Sequence, residues 1–371
     1  MLFKSARSRR PIAILTPKAG ANCSPLDPFG GDTNGRKWTY YHRCLEERGG
    51  VRYLEPGDWE SVRGYQYAFV HEALYDVLGE RTIAALQTLK RNNGRVIWVE
   101  LHEKSIFSGA CFLPGFFAAV DRVLKHQLVD WDFLKSELRK PVNRLAPHVI
   151  YGKPSYLEFL ADPHLFAFRV EPQLFEDHLR FDFAEVQDKI VPIMYPFSWS
   201  LLARGLPAYS CDNAKAAIAT YSGRLSLNHL QRNALVAAVT ARGVPATFDA
   251  DYLASLRSSR HFLALGHIHS SLRTFDTLAF DTVLVHYEPG PYKWWSEFQP
   301  YRNFIPIGDV SKIFRAGGFG MDEAYVDSIA EQLKADLQNE ELRAIVLEGQ
   351  RALFEKLIDP SFIRGKLGMD E

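Results

Sequence analysis

Between Gly266 and Glu288 the chain reads GHIHSSLRTFDTLAFDTVLVHYE, and this stretch concentrates residue types that do chemistry. An apolar strand ends at a glycine, and Ser270, Ser271 and Arg273 then open a helix that leads into a second apolar strand. A helix N-terminus offers free backbone N–H groups, and serine hydroxyls beside it complete an anion site. Arg273 adds a planar fork of donors suited to a phosphate. Asp276 follows at i, i+3 on the same side of the helix, where a carboxylate at a cleft can accept ribose hydroxyls. The plainer alternative is a helix cap with an Arg–Asp surface pair. Upstream, Tyr221-Ser222-Gly223-Arg224 closes another strand. Gly223 permits a close backbone approach, and Arg224 has the reach to meet the same diphosphate. Proton transfer to or from a hydroxyl needs a general base, and Asp32, Glu100 and His102, all near strand ends in the first half, are the candidates.

These residues need a scaffold that brings strand ends together. Apolar runs at Pro11–Thr16, Tyr67–His71, Arg95–Leu101, Val120–Lys125 and His148–Tyr151 read as buried strands, with helical patterns over 37–49 and 81–91 between them. After Asp188–Pro196 the alternation starts again. Strands are expected at 216–221, 261–265 and 282–286, and helices at 228–242, 272–280, 322–339 and 340–357. Strands alternating with helices imply parallel sheets covered on both faces. The expected fold is α/β, with two doubly wound, Rossmann-like domains facing a cleft, one over 1–200 and one over 201–371 with closing helices. Ligands in such sheets sit beyond the carboxyl ends of the strands.

Composition narrows the class. A chain of 371 residues suits about two domains. With 47% hydrophobic and 24% charged residues it is an ordinary globular mixture. A formal net charge of zero argues against nucleic-acid binding by the whole surface. Lys4, Arg7, Arg9 and Arg10 and the basic residues between Arg36 and Arg48 keep nucleic acid among the candidate partners. Cys23, Cys44, Cys111 and Cys211 form no Cys-x-x-Cys and read as reduced thiols. With no apolar run of about 20 residues and no signal-peptide pattern, a cytoplasmic protein is expected.

The stretch from Ser271 through Arg273 and Asp276 to the strand Thr282–Val285 resembles the donor-binding segment of GT-B glycosyltransferases, and is most similar to exostosin-like and capsule-associated O-glucosyltransferase-like enzymes. Tyr221–Arg224 resembles the first strand-to-loop turn of their C-terminal domain. Phe298–Ser311 resembles a loop that precedes a helix there, and Gly30-Gly31 with the helix after it resembles the glycine loop of their acceptor domain. Asp281-Thr282 stands where those families have glycine. The resemblance implies a metal-independent enzyme without cofactor that takes a nucleotide sugar, a UDP-sugar by expectation. Gly223, Arg224, Gly266, His269, Ser270, Ser271, Arg273 and Asp276 would hold it. The acceptor would be a hydroxyl on a polysaccharide, a small molecule, a protein or a modified nucleobase in DNA.

Gly266-His267-Ile268-His269 also resembles the Gly-His-x-His of calcineurin-like metallophosphoesterases, because two histidines at i, i+2 on an extended segment share a face. Against that reading, no Asp-x-His stands early in the chain, and Asn228-His229 is followed by Leu230 instead of an acidic residue. A sugar-phosphate epimerase-like enzyme and a non-catalytic GT-B-like binding protein are the remaining alternatives.

Overall fold

A computed structural model describes residues 12–15, 40–41, 43–45, 50–101, 106–126, 128–139, 172–194, 196–202, 206–210, 215–222, 230–265, 272–290, 292–313 and 321–369. The expected strand at 148–151 lies outside them.

The first sheet contains β1 (Ile12–Leu15), β2 (Val51–Leu54), β3 (Tyr67–His71), β4 (Arg95–Glu100), β5 (Arg122–His126) and β6 (Ile190–Ile193), in the order β2-β1-β3-β4-β5-β6. The second contains β7 (Ala217–Tyr221), β8 (Ala246–Phe248), β9 (Ser259–Leu263), β10 (Val283–His286) and β11 (Ile305–Pro306), in the order β11-β10-β9-β7-β8. All these pairings are parallel. Central strands buried on both faces read as unbroken apolar runs; β1, β3 and β10 are of this kind. The architecture is two doubly wound α/β sheets, as the alternation of elements implied.

Helices cover the sheets through apolar stripes. In the first half these include α1 (Ala73–Leu78), α2 (Thr82–Asn92) and α3 (Trp131–Leu138). In the second they include α4 (Leu230–Ala241), α5 (Tyr252–Ser258), α6 (Leu272–Leu278), α7 (Glu323–Gln338), α8 (Glu340–Leu357) and α9 (Pro360–Lys366). On α7, Val326, Ile329, Ala330, Leu333 and Leu337 form the buried face, at the three- and four-residue spacing of an amphipathic helix. Asn339 ends α7 and starts α8, its side chain accepting from the Leu342 N–H at 2.9 Å.

The carboxyl edges of the two sheets meet. Val129, just past β5, makes an antiparallel bridge with Tyr292, past β10. Lys293 N–H donates to the Leu128 carbonyl at 2.8 Å, and its ammonium pairs with Asp130 at 2.9 Å. Trp295 Nε1 donates to Pro192 O at the end of β6, at 2.9 Å. After α8 the chain returns to the first half. The Tyr40 hydroxyl donates to Leu357 O, and Arg95 Nη1 donates to Gly368 O at 3.1 Å. One apolar cluster accordingly contains Ile14, Phe69 and Leu124 from the first half with Phe262, Phe275 and Leu284 from the second, and Leu357, Ile363 and Leu367 close it.

Two helical glycines differ in what surrounds them. A Cβ on Gly349, in the middle of α8, would collide with the Arg302 carbonyl oxygen, whereas one on Gly365, in α9, would meet nothing within 4 Å. Alanine in a helix is favoured over glycine by about 1 kcal/mol, and forced overpacking costs about 1–3 kcal/mol. Gly365→Ala is therefore expected to raise the melting temperature and Gly349→Ala to lower it, measured by thermal denaturation of both variants.

Candidate functional site

In each sheet the strand order reverses once, between β1 and β3 and between β7 and β9. Loops leaving the two sides of a reversal turn to opposite faces of the sheet, and the crevice between them is where ligands enter. In the second sheet those loops follow Tyr221-Ser222 and Leu263–Leu265. They carry Gly223, Arg224, Gly266, His269, Ser270 and Ser271, all of which lie outside the described residues, as do His267, Asp32 and His102. The walls of this crevice are described.

Arg273, in the first turn of α6, crosses the reversal. Its Nη1 donates to the Ser222 carbonyl, on the β7 side, at 2.7 Å. Its guanidinium carbon stands 5.1 Å from the centre of the Tyr252 ring, within cation–π range. A guanidinium has five N–H donors, and among the described residues the Ser222 carbonyl takes one of them. Arg273 is partly exposed, so a side chain able to grip an anion lies across the mouth of the crevice.

Asp276 is placed differently from the expectation that it would stand at the cleft. It is fully buried. One carboxylate oxygen accepts from the Ser198 backbone N–H at 2.6 Å, and the other accepts from the Tyr252 hydroxyl at 3.1 Å. Burial pushes its pKa up to about 6, against the opposing pull of the Ser198 and Tyr252 hydrogen bonds and the Arg273 charge. The physical reason is that α6 is buried all round beyond its first turn, from Thr274 to Leu278, so the i, i+3 partner of an exposed arginine faces protein. With both oxygens held, this carboxylate joins α6 to the chain leaving the first half and offers no free edge to a ribose.

Glu100, a candidate base, is also corrected. It ends β4 and sits in register with Lys125 on β5. Both side chains are fully buried and stand 3.6 Å apart. Glu100 Oε1 accepts from Trp98 Nε1 at 3.2 Å, Ser108 Oγ at 2.5 Å and Cys111 Sγ at 3.0 Å, and the Ser108 N–H reaches the same oxygen at 3.1 Å. A base must reach the proton it takes, and this carboxylate is enclosed by donors of its own chain. Burial lowers the Lys125 pKa while Glu100 and Glu72 pull it back up. Burial, and then the Glu100 charge, push the Cys111 thiol well above its ordinary value, which leaves it unreactive.

Sequence reasoning missed four residues at these strand ends. His71 and Glu72 leave β3 at the reversal of the first sheet. His71 Nδ1 accepts from Ala73 N–H at 3.1 Å and Glu72 Oε1 accepts from Leu101 N–H at 3.0 Å. Tyr252 and Ser198 complete the surroundings of Asp276. Strand order singles out His71 and Glu72, and hydrogen bonds to Asp276 single out Tyr252 and Ser198; no local pattern reports either. The chain also contains two Asp-x-Asp triplets, Asp130-Trp131-Asp132 and Asp249-Ala250-Asp251, a pattern that elsewhere clamps a metal–diphosphate. Here they serve helix starts. Asp130 accepts from Phe133 N–H at 3.2 Å, Asp251 from Ala254 N–H at 3.0 Å, and Asp249 from Asp251 N–H at 2.9 Å. Among the described residues no group of three or more His, Cys, Asp or Glu side chains is arranged to hold a metal ion, and no helix is long and apolar enough to cross a membrane.

No protein-family model matches the chain, and no curated protein does. Solved structures give distant likenesses. One is the DNA modifying enzyme beta-glucosyltransferase, determined in the presence and absence of its substrate uridine diphosphoglucose: 10% identity, 96% of this chain and 99% of that one, TM-score 0.41. Another is the catalytic domain of starch synthase IV from Arabidopsis thaliana bound to ADP and acarbose: 10% identity, 91% of this chain and 79% of that one, TM-score 0.37.

Two stability predictions follow from the buried charges. Removing one member of a buried ion pair leaves the other unpaired and costs about 3–5 kcal/mol. Lys125→Met should show that loss in urea denaturation, and adding Glu100→Gln should recover part of it. For Asp276, the folded pKa lies above the unfolded one, near 3.8. The native state therefore binds the extra proton between those values, and the stability this group contributes falls as pH rises from about 4 to about 6. His261 and His286, with pKa values lowered by burial to about 4, act in the opposite sense as pH falls. The measurement is thus a difference: parent stability minus that of Asp276→Asn should decrease across pH 4–6, by up to about 3 kcal/mol. A flat difference would show that the carboxyl stays ionised.

Proposed function

We propose that this protein is a metal-independent glycosyltransferase of GT-B type that moves a hexose or related sugar from a nucleotide-diphosphate sugar, a UDP-sugar in the first instance, to a hydroxyl acceptor. The observation that carries the proposal is Arg273 lying across the reversal point of the second sheet, bonded to the carbonyl of the residue that precedes Gly223 and Arg224. The strand ends Tyr221-Ser222 and Leu263–Leu265, from which the segments with Gly223, Arg224 and Ser271 continue in sequence, flank the place where a doubly wound sheet binds its ligand. The resemblance to exostosin-like and capsule-associated O-glucosyltransferase-like enzymes belongs to the same proposal.

Departure of a nucleoside diphosphate builds negative charge on the leaving oxygens. Fixed donors aimed at that charge lower the barrier, and they lower it most when they need not reorganise during the reaction. Arg273 is assigned this role, and Arg224 and Ser271 are proposed to share it. Asp276 is reassigned from ribose binding to bracing α6. Asp32 and His102 remain the proposed bases for the acceptor hydroxyl, and Glu100 no longer stands with them.

The test begins with UDP-, ADP-, GDP- and dTDP-sugars in a thermal-shift series, since a ligand that binds the native state alone raises its stability. Transfer is then followed by mass spectrometry in EDTA, onto oligosaccharide, glycoside, protein and hydroxymethylated DNA acceptors. Arg273→Ala should lower kcat/KM by about 30- to 1000-fold, the range for losing a preorganised donor worth about 2–4 kcal/mol. Arg273→Lys should not restore it, because an ammonium lacks the planar fork. If Arg273→Ala binds nucleotide as tightly as the parent, the donor site lies elsewhere. Activity abolished by EDTA and restored by manganese would refute metal independence.

A further inference from the structure

We propose that Tyr252 is a positioning residue for donor recognition: its ring is the platform on which the Arg273 guanidinium lies, and its hydroxyl locks that platform to Asp276. The inference rests on the donor site proposed above and adds to it the element that fixes the phosphate-binding arginine before any ligand arrives.

Tyr252 opens α5, just after β8, the strand beside β7 on the side away from β9. The turn before it is tied down by hydrogen bonds. Asp249 N–H donates to Tyr221 O at 3.1 Å, which ties the turn to the end of β7, and Asp251 caps the helix through Ala254 N–H at 3.0 Å. The Tyr252 ring packs edge-on against Phe262 of β9, with centroids 5.5 Å apart. Its hydroxyl donates to Asp276 at 3.1 Å and also approaches the Arg273 carbonyl at 3.4 Å. Burial raises the phenol's pKa well above its ordinary value, so the hydroxyl stays a donor. One side chain thereby touches β9, α6 and the guanidinium together. Arg273 has its guanidinium over the ring and one N–H on Ser222 O, so the end of the side chain is held at two points. A long cationic side chain fixed in this way loses less freedom when it grips a ligand.

The experiment measures UDP affinity by calorimetry for the parent, Tyr252→Phe, Tyr252→Leu, Arg273→Ala and the Tyr252→Leu/Arg273→Ala double variant, with melting temperature as folding control. A cation–π contact of ordinary strength corresponds to about 2- to 30-fold in affinity. Tyr252→Leu should weaken UDP binding within that range. Tyr252→Phe, which keeps the ring, should retain most of the affinity. In the Arg273→Ala background Tyr252→Leu should change nothing further, because the residue it positions is gone. A role confined to packing would lower the melting temperature without this coupling.

A second readout needs no ligand. The order parameter of the Arg273 Nε–H bond by NMR should be high in the parent and should fall in Tyr252→Leu. Should Tyr252→Leu fail to fold, Tyr252→Met carries the same measurements. The proposal is overturned if loss of the ring leaves UDP affinity unchanged, or if its effect adds in full to that of Arg273→Ala. An Arg273→Ala variant that binds UDP like the parent would instead overturn the donor site itself, so the two failures are distinguishable.

Discussion

Every strand pairing in both sheets is parallel, and the remaining organisation depends on that constraint. A parallel strand cannot return through a tight turn. It needs a crossover, so each strand's carboxyl end releases the chain on the same edge of the sheet. The carboxyl ends of the strands in one half are therefore neighbours by necessity, however far apart they lie in sequence. Reversal of the winding then opens a crevice at one place along that edge. In the second half the crevice falls between Tyr221-Ser222 and Leu263–Leu265, and Arg273 bridges it. Contacts of Lys293 and Trp295 with Leu128 and Pro192 turn the corresponding edge of the first half toward it.

Buried charge marks both carboxyl edges. Glu100 and Lys125 are in register on adjacent strands, and Asp276 is enclosed between Ser198 and Tyr252. An ionised group in such surroundings is tolerated only with partners that replace water. These partners come from loops, and the charge therefore organises the loops. The Ser108 and Cys111 contacts hold the segment after β4 against the sheet. The Tyr252 and Ser198 contacts hold the start of α5 and the chain leaving β6 against α6. Neither carboxylate performs the proposed chemistry, and both shape the region that would.

The expectations that held concern features a local pattern can report. β3, β4 and β10 were legible because burial on both faces leaves an unbroken apolar run. α7 and α8 lie where helices were expected, at 322–339 and 340–357, and the structure adds their Asp322 and Asn339 caps. β2, β8 and β11 were not recognised. β2 and β8 are half-exposed edge strands of four and three residues, and β11 has only two, too few to establish a period. The site divides along the same line. That Arg273 opens a helix after a strand was readable. That Asp276 is enclosed was not, because its partner Ser198 lies 78 residues away and Tyr252 lies 24 away. Helical geometry says which residues share a side and nothing about what covers that side. The Glu100–Lys125 pair was hidden for a related reason, since register between strands is a property of the sheet.

The segment that passes from the first half to the second shows how these constraints meet. Phe197 holds a left-handed backbone, with φ of 65°, although it is not glycine, and it is buried. Such a conformation costs about 1–3 kcal/mol and persists only where the surroundings over-determine it. Here they do. Its ring packs against Tyr40 of the first half, Phe275 of α6 and Phe354 of α8. The next residue, Ser198, gives its N–H to Asp276. Asp276 accepts from Tyr252, and Tyr252 lies under Arg273. The crossing between the halves and the proposed anion grip are thus connected by three consecutive contacts. A shift of Ser198 away from α6 would strip Asp276 of a hydrogen bond in a buried place, where an unmet charge is most costly. The resting arrangement of the two halves and the orientation of Arg273 are stabilised by the same carboxylate.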